Sequence, residues 1–192
     1  MLKIERSEDS RVVKSILHRI ADIPGGCTVD NGELGGSALL EGTPLAYLAS
    51  DGMYHVAKTA KLVTDAAEDA TEYEVAKGHH FKVGDYFAAG SADGQAITAI
   101  DKTTNTDKDV ITVGTTLGEA LTADDGVVCY QTSGSNTTVK YPPTAIAGSN
   151  LDVEESSNIF MDIWVIAVVR EGNAPGVTTT LKGTMKGIHY IV

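Results

Sequence analysis

The sequence predicts a mainly β protein: a small barrel or sandwich of short strands, with an amphipathic N-terminal helix and a short C-terminal helix. Three observations predict it. Twenty glycines stand among many Thr, Ser, Asn and Asp residues in a chain of 192, a composition that places turns between short strands. Apolar residues recur in short runs bounded by Gly, Asp or Asn. Near the end, residues 159–169 form a run in which both parities are largely apolar, so that as a strand it is expected to be covered on both faces.

Taken in order, residues 7–21 read as a helix. Ser7, Glu8 and Asp9 suit its first turn, Val12, Val13, Ile16, Leu17 and Ile20 repeat on one face, and Pro24-Gly25-Gly26 stops it. A lone helix of about fifteen residues is marginal in water, so the stripe must dock on this chain or on a partner. Residues 28–42, with four glycines and little periodicity, read as an extended connector.

A hairpin follows, residues 45–48 and 53–58, because Asp51-Gly52 supplies the positive φ angles of a tight reversal. Residues 61–74 are readable either as a helical turn or as an acidic loop. Short strands are expected at 73–76, 86–89, 96–100, 110–113 and 127–130. The Ser/Gly/Asn/Thr stretch 133–138 reads as a link, and Tyr141-Pro142-Pro143 cannot continue a central strand. Beyond it come the long apolar strand, a loop at 172–176, a helix through Leu181 and Met185 that Gly183 and Gly187 weaken, and a terminal strand. The chain so divides into residues 1–42, helix and connector; 43–132, a barrel-like module; and 139–192, a β segment packing on it, the whole also readable as one continuous domain.

Hydrophobic content of 42% with 21% charged residues is that of a globular chain, and a domain of this length buries roughly 70% of its unfolded surface. The net charge of -11 opposes binding to nucleic acid or an anionic membrane. Arg11, Lys14, His18 and Arg19 make one acid-free basic stretch, read as a solvated face or a contact for an acidic partner. Cys27 and Cys129 lie in unrelated contexts and are expected to be free thiols. The charged start, Met1 to Asp9, does not resemble a signal peptide, and no apolar run reaches the roughly 18 residues of a membrane span. Synthesis in the cytoplasm is expected.

Little in the chain points to catalysis. His79-His80 is the sharpest metal pair, yet neighbours on a strand face opposite ways and no carboxylate stands at ligand spacing, so an exposed turn is the expectation. Asp51 and His55 flank the hairpin turn without a nucleophilic elbow. Asp101, Asp107 and Asp109 lack the central Gly and terminal Glu of a calcium loop, and Gly32, Gly35 and Gly36 lack the Gly-Lys ending of a phosphate loop. Tyr47, Tyr54, Tyr73, Tyr86 and Phe87 read as core and rim. No catalytic, cofactor or metal residue is assigned.

Three stretches together carry a resemblance. Residues 41–56, around Leu45-Ala46-Tyr47-Leu48 and Asp51-Gly52-Met53-Tyr54, are similar to a hairpin of tailed-bacteriophage head decoration and capsid cement proteins. Phe81 to Phe87, with Ile97 to Asp101, Asp109 to Val113 and Thr116-Leu117-Gly118, resembles a β module of phage structural proteins. The end, Asn158 to Glu171 with Leu181 to Ile191, resembles the C-terminus of phage head fiber proteins of Bacteroidales phages and prophages. The resemblance implies a virion protein on the capsid exterior, bound to the major capsid protein, self-associating as a homotrimer, and without catalysis or cofactor. The N-terminal helix departs from it, since simple decoration proteins begin with a flexible arm. Partner contact is expected through Val12, Ile16, Leu17 and Ile20 with Arg11, Lys14 and Arg19. The alternatives are a glycan-binding β module, disfavoured because the one tryptophan, Trp164, falls in an expected core strand, and a polysaccharide-degrading enzyme, which needs paired carboxylates at a cleft.

Overall fold

Where the N-terminal helix was expected, the chain runs as a strand, β1 (Ile16–Asp22). The computed structural model describes residues 14–89, 92–123, 126–128, 139–154 and 157–192, so the earlier part of that expected helix, with Arg11, Val12 and Val13, lies outside the described residues. The correction has a physical reason. The stripe is rich in β-branched residues, which lose side-chain freedom in a helix, and the apolar run late in the chain offers it an edge to pair with.

The further strands are β2 (Cys27–Val29), β3 (Ala38–Leu39), β4 (Pro44–Leu48), β5 (Met53–Val56), β6 (Thr59–Lys61), β7 (Glu72–Ala76), β8 (Tyr86–Phe87), β9 (Gln95–Asp101) and β10 (Lys108–Val113). Then come β11 (Gly126–Val128), β12 (Ala145–Ala147), β13 (Leu151–Asp152), β14 (Ile159–Met161), β15 (Ile163–Arg170), helix α1 (Thr179–Thr184) and β16 (Ile188–Ile191). The mainly β class is as the sequence predicts, and α1 falls within the expected C-terminal helix, with the Thr178 hydroxyl capping Leu181 N. Residues 61–74 form no helix; they run through isolated bridges at Leu62 and Ala66 into β7.

The largest sheet has the order β1-β15-β12-β4-β5-β2-β14, with β16 parallel beside β15. β1 and β2 make one ribbon bent at Pro24-Gly25, where Gly25 takes φ 89°. β14 and β15 make another, bent at Asp162. The ribbons pair antiparallel, from Ile159 opposite Val29 to Ile16 opposite Val169. The pairing path through β12, β4, β5 and β2 thus leads back to the same ribbons, and the sheet curls into a barrel-like wall. Inside it pack Val29, Leu39, Leu45, Val56, Ala147 and Ile163. On the outer side of β15 and β12, α1 and β16 bury Ile16, Ile146, Val169, Leu181 and Met185.

A second antiparallel sheet, β7-β10-β9-β8, and the pair β6-β11 belong to an insert between β5 and β12. It has its own core around Tyr73, Val75, Phe81, Phe87, Ile97 and Ile111, with Tyr73 and Phe87 rings 5.1 Å apart. The hairpin expected to open the 43–132 module instead pairs with β12 and β2 in the barrel wall, and the segment with its own core begins at β6. No helix among the described residues is long and apolar enough to cross a membrane.

The late run is central, as its composition predicts, but it is not covered on both faces. Ile163, Ala167 and Val169 are fully buried, whereas Phe160 is 67% and Ile166 38% exposed, and Trp164 and Val168 are half-buried.

Candidate functional site

β1 carries the expected partner-contact residues in an unexpected form. Ile16 is buried in the core beneath α1, so it docks within the chain. Leu17 and Ile20 are 44% and 54% exposed, and among the described residues the outer edge of β1 pairs with no strand. Arg19 is tied down: its Nη2 donates to Glu41 Oε1 at 2.6 Å and to the Gly148 carbonyl at 2.6 Å, while its guanidinium lies 5.5 Å from the centre of the Trp164 ring. The buried Glu41 also accepts from the Ser15 amide at 2.7 Å, satisfying the start of the strand. Lys14 is exposed; Arg11 and Val12 lie outside the described residues.

A second surface lies at the far end of the barrel wall. Tyr47, 55% exposed, and the half-buried Tyr54 stand opposite each other on β4 and β5 with ring centres 5.4 Å apart. With Phe160, Ile23, Cys27 and Thr28 they line a groove of about 390 Å³. The Phe160 ring lies over Gly26, where a Cβ would stand 2.8 Å from Cζ. Sequence spacing could place Tyr47 and Tyr54 across a hairpin, but not Phe160 beside them, since that neighbour comes from β14 pairing with β2. Cys27 is a free thiol whose partial burial raises its pKa; Cys129 lies outside the described residues.

His55 is buried between two carboxylates. Its Nε2 lies 2.9 Å from Asp51 Oδ2 and its Nδ1 3.6 Å from Asp30 Oδ2, and the ring stacks on Tyr141 at 4.6 Å. Asp30 comes from the connector after β2, a partner that sequence spacing did not suggest. The Asp51 carboxyl is held below its ordinary pKa, first by the hydrogen bond from the Met53 amide and also by His55. The arrangement braces the hairpin turn.

His79 and His80 are not on an exposed turn; both are 4% exposed. Each Nδ1 accepts a backbone amide, from Phe81 at 3.2 Å and from Gly36 at 3.3 Å respectively. His79 Nε2 approaches Asp109 Oδ2 at 3.2 Å, too poorly aligned for a formed hydrogen bond, and His80 Nε2 is buried without a partner. Burial, aided by nearby lysines, lowers both pKa values to about 4.

The carboxylates of the expected acidic run separate. Asp101 caps the amides of Thr103 and Thr104 at 2.9 and 3.0 Å, while the buried Asp109 pairs with Lys77 Nζ at 2.7 Å. Among the described residues, no three His, Cys, Asp or Glu side chains are grouped as metal ligands. Comparison with protein-family models, with curated proteins and with solved structures finds no match.

Proposed function

We propose that this chain is a structural protein of a tailed-phage virion that attaches to the capsid exterior through protein contacts, without catalysis. The observation that carries the reading is the β1 surface. An unpaired strand edge with exposed apolar side chains is a template for adding a neighbour, and proteins that remain alone usually blunt such edges. Leu17 and Ile20 stand exposed on that strand, and the resembling stretches at 41–56, 81–118 and 158–191 supply the context. The partners are the major capsid protein and further copies of this chain as a homotrimer, and the site of action is the virion. An acidic charge of -11 suits contact with basic protein surfaces better than contact with nucleic acid. The mass of the pure protein in solution, with its co-sedimentation on empty capsids of its proposed phage, tests this reading. A monomer that stays in the supernatant would sink it.

A second reading is favoured by the groove at Tyr47, Tyr54 and Phe160. The exposed Tyr47 and Phe160 rings, with the hydroxyls of Tyr47 and Tyr54 beside them, suit the apolar faces and hydroxyls of sugar rings, which supports a glycan-binding module. Binding on a glycan array, lost in Y47A and F160A, is its expected result.

A further inference from the structure

We propose that residues 32–36 form an acid-released strap: they hold the barrel against the insert through a neutral His80, and the seam opens when that ring takes up a proton.

The strap leaves the barrel after β2 and crosses the loop that precedes β8. Leu34, 6% exposed, anchors it in the barrel core. Four hydrogen bonds join it to the insert. Gly35 N donates to the His80 carbonyl at 3.0 Å and Gly36 N to His80 Nδ1 at 3.3 Å, while Lys102 Nζ donates to Gly35 O at 2.6 Å and Lys82 Nζ to Gly32 O at 2.9 Å. The approach is backbone on backbone. A Cβ at Gly35 would stand 2.2 Å from Phe81 O, and one at Gly36 would stand 2.9 Å from His79 O and 3.0 Å from the His80 ring.

This geometry needs the ring neutral. With Nδ1 accepting the Gly36 amide, the proton of the neutral ring resides on Nε2; a second proton on Nδ1 would set two N–H groups head to head. The surroundings are as unwelcoming to charge. His80 is faced by Lys58, Lys102 and His79, and His79 by Lys102, Lys77 and Asp109. Asp109, the carboxylate among these groups, is already engaged by Lys77 at 2.7 Å. His79 is under the same constraint, because its Nδ1 accepts the Phe81 amide.

The direction follows by linkage. The seated His80 has its pKa lowered to about 4 from 6.5, whereas a ring freed into water takes its ordinary value. Protons therefore favour the open seam as the pH falls below about 6.5, and at about pH 5 the open form gains about thirtyfold through His80 alone.

Amide exchange of the full chain tests this, read as protection factors at about pH 7 and about pH 5. Between these values Gly35 and Gly36 are expected to lose protection by about twentyfold, while the amides of β12 and β15, which need global opening, stay better protected than the strap at both. In H80N, which retains an acceptor near Gly36 but does not titrate, the strap is expected to be equally protected at both values. Unchanged protection in the native chain, strap amides no less protected than those of β12 and β15, or the same loss in H80N would each overturn the proposal. Should H80N fail to fold, a nuclear magnetic resonance titration of the native chain decides. The His80 ring and the Gly36 amide should shift together, with one midpoint; a Gly36 amide indifferent to the titration of His80 contradicts the strap.

Discussion

The Trp164 indole donates its Nε1–H to Asp162 Oδ2 at 3.0 Å, across the bend that divides the late apolar ribbon into two strands. The same carboxylate accepts the Ser149 hydroxyl at 2.9 Å, and the backbone of Gly148 passes so close that a Cβ there would stand 2.0 Å from Asp162 Oδ2. Arg19 covers the indole from β1. One half-buried polar cluster thus joins the bend to β1 and the segment after β12.

Replacing Asp162 by Ala should lower stability by about 1–3 kcal/mol, because a partly buried indole N–H and a hydroxyl lose their acceptor. Burial by itself would raise the Asp162 pKa, but the hydrogen bonds from Trp164 and Ser149 outweigh it and the net shift is downward. Its contribution is therefore present above the ordinary carboxylate pKa of 3.8 and is lost as pH falls through the lower folded value. Urea melts of the native chain and D162A should converge in strong acid.

Lys58 and Asp85 form a buried ion pair, Nζ to Oδ2 at 2.7 Å, between the end of the barrel hairpin and the insert. Lys58→Met leaves Asp85 in place without its cation, and a loss of about 3–5 kcal/mol is expected by denaturant unfolding. Asp85 also accepts the Lys82 amide at 2.8 Å, so the double variant K58M/D85N should recover only part of that loss.

His79 and His80 make overall stability sensitive to acid. Their folded pKa values are depressed, so their contribution is complete above about pH 6.5 and declines as pH falls toward about 4, by on the order of 3 kcal/mol for a fully depressed ring. Thermal melting should fall across that window, and H79N/H80N should flatten the fall. An equal slope in the double variant would assign the acid sensitivity elsewhere.

Gly187 passes so near β15 that a Cβ would stand 2.2 Å from Val165 O. Gly187→Ala should therefore displace β16 and cost about 2 kcal/mol or more. Gly183, with open space around its Cβ position, should accept Ala with a gain of up to about 1 kcal/mol, since it lies within α1. Paired urea melts of G187A and G183A check both signs.

What the sequence made legible was local. Asp51-Gly52 marks its hairpin because Gly52 takes φ 74°, and β10 alternates buried Asp109, Ile111 and Val113 with half-buried neighbours, a period of two readable without a partner. β1 was misread because Val12, Ile16 and Ile20 satisfy helical spacing, while the strand that captures Ile16 to Asp22 comes well over a hundred residues later. His79 and His80 looked exposed for a similar reason: the glycines packed on the His80 ring and on the backbone of residues 79–81 belong to the connector after β2. The aromatic groove was hidden as well, since Phe160 reaches Tyr47 and Tyr54 through the pairing of β14 with β2.

The most direct test of the proposed assembly reading is co-sedimentation of the native chain, L17D/I20D and Y47A/F160A with empty capsids of the phage proposed to encode it. Leu17 and Ile20 are exposed, so L17D/I20D should fold with a melting temperature close to native. The account predicts that the native chain and Y47A/F160A pellet with the capsids, while L17D/I20D binds at least about tenfold more weakly, the loss of roughly 1.4 kcal/mol at a contact. A native chain that remains in the supernatant, or an L17D/I20D variant that pellets as well as native, would contradict it.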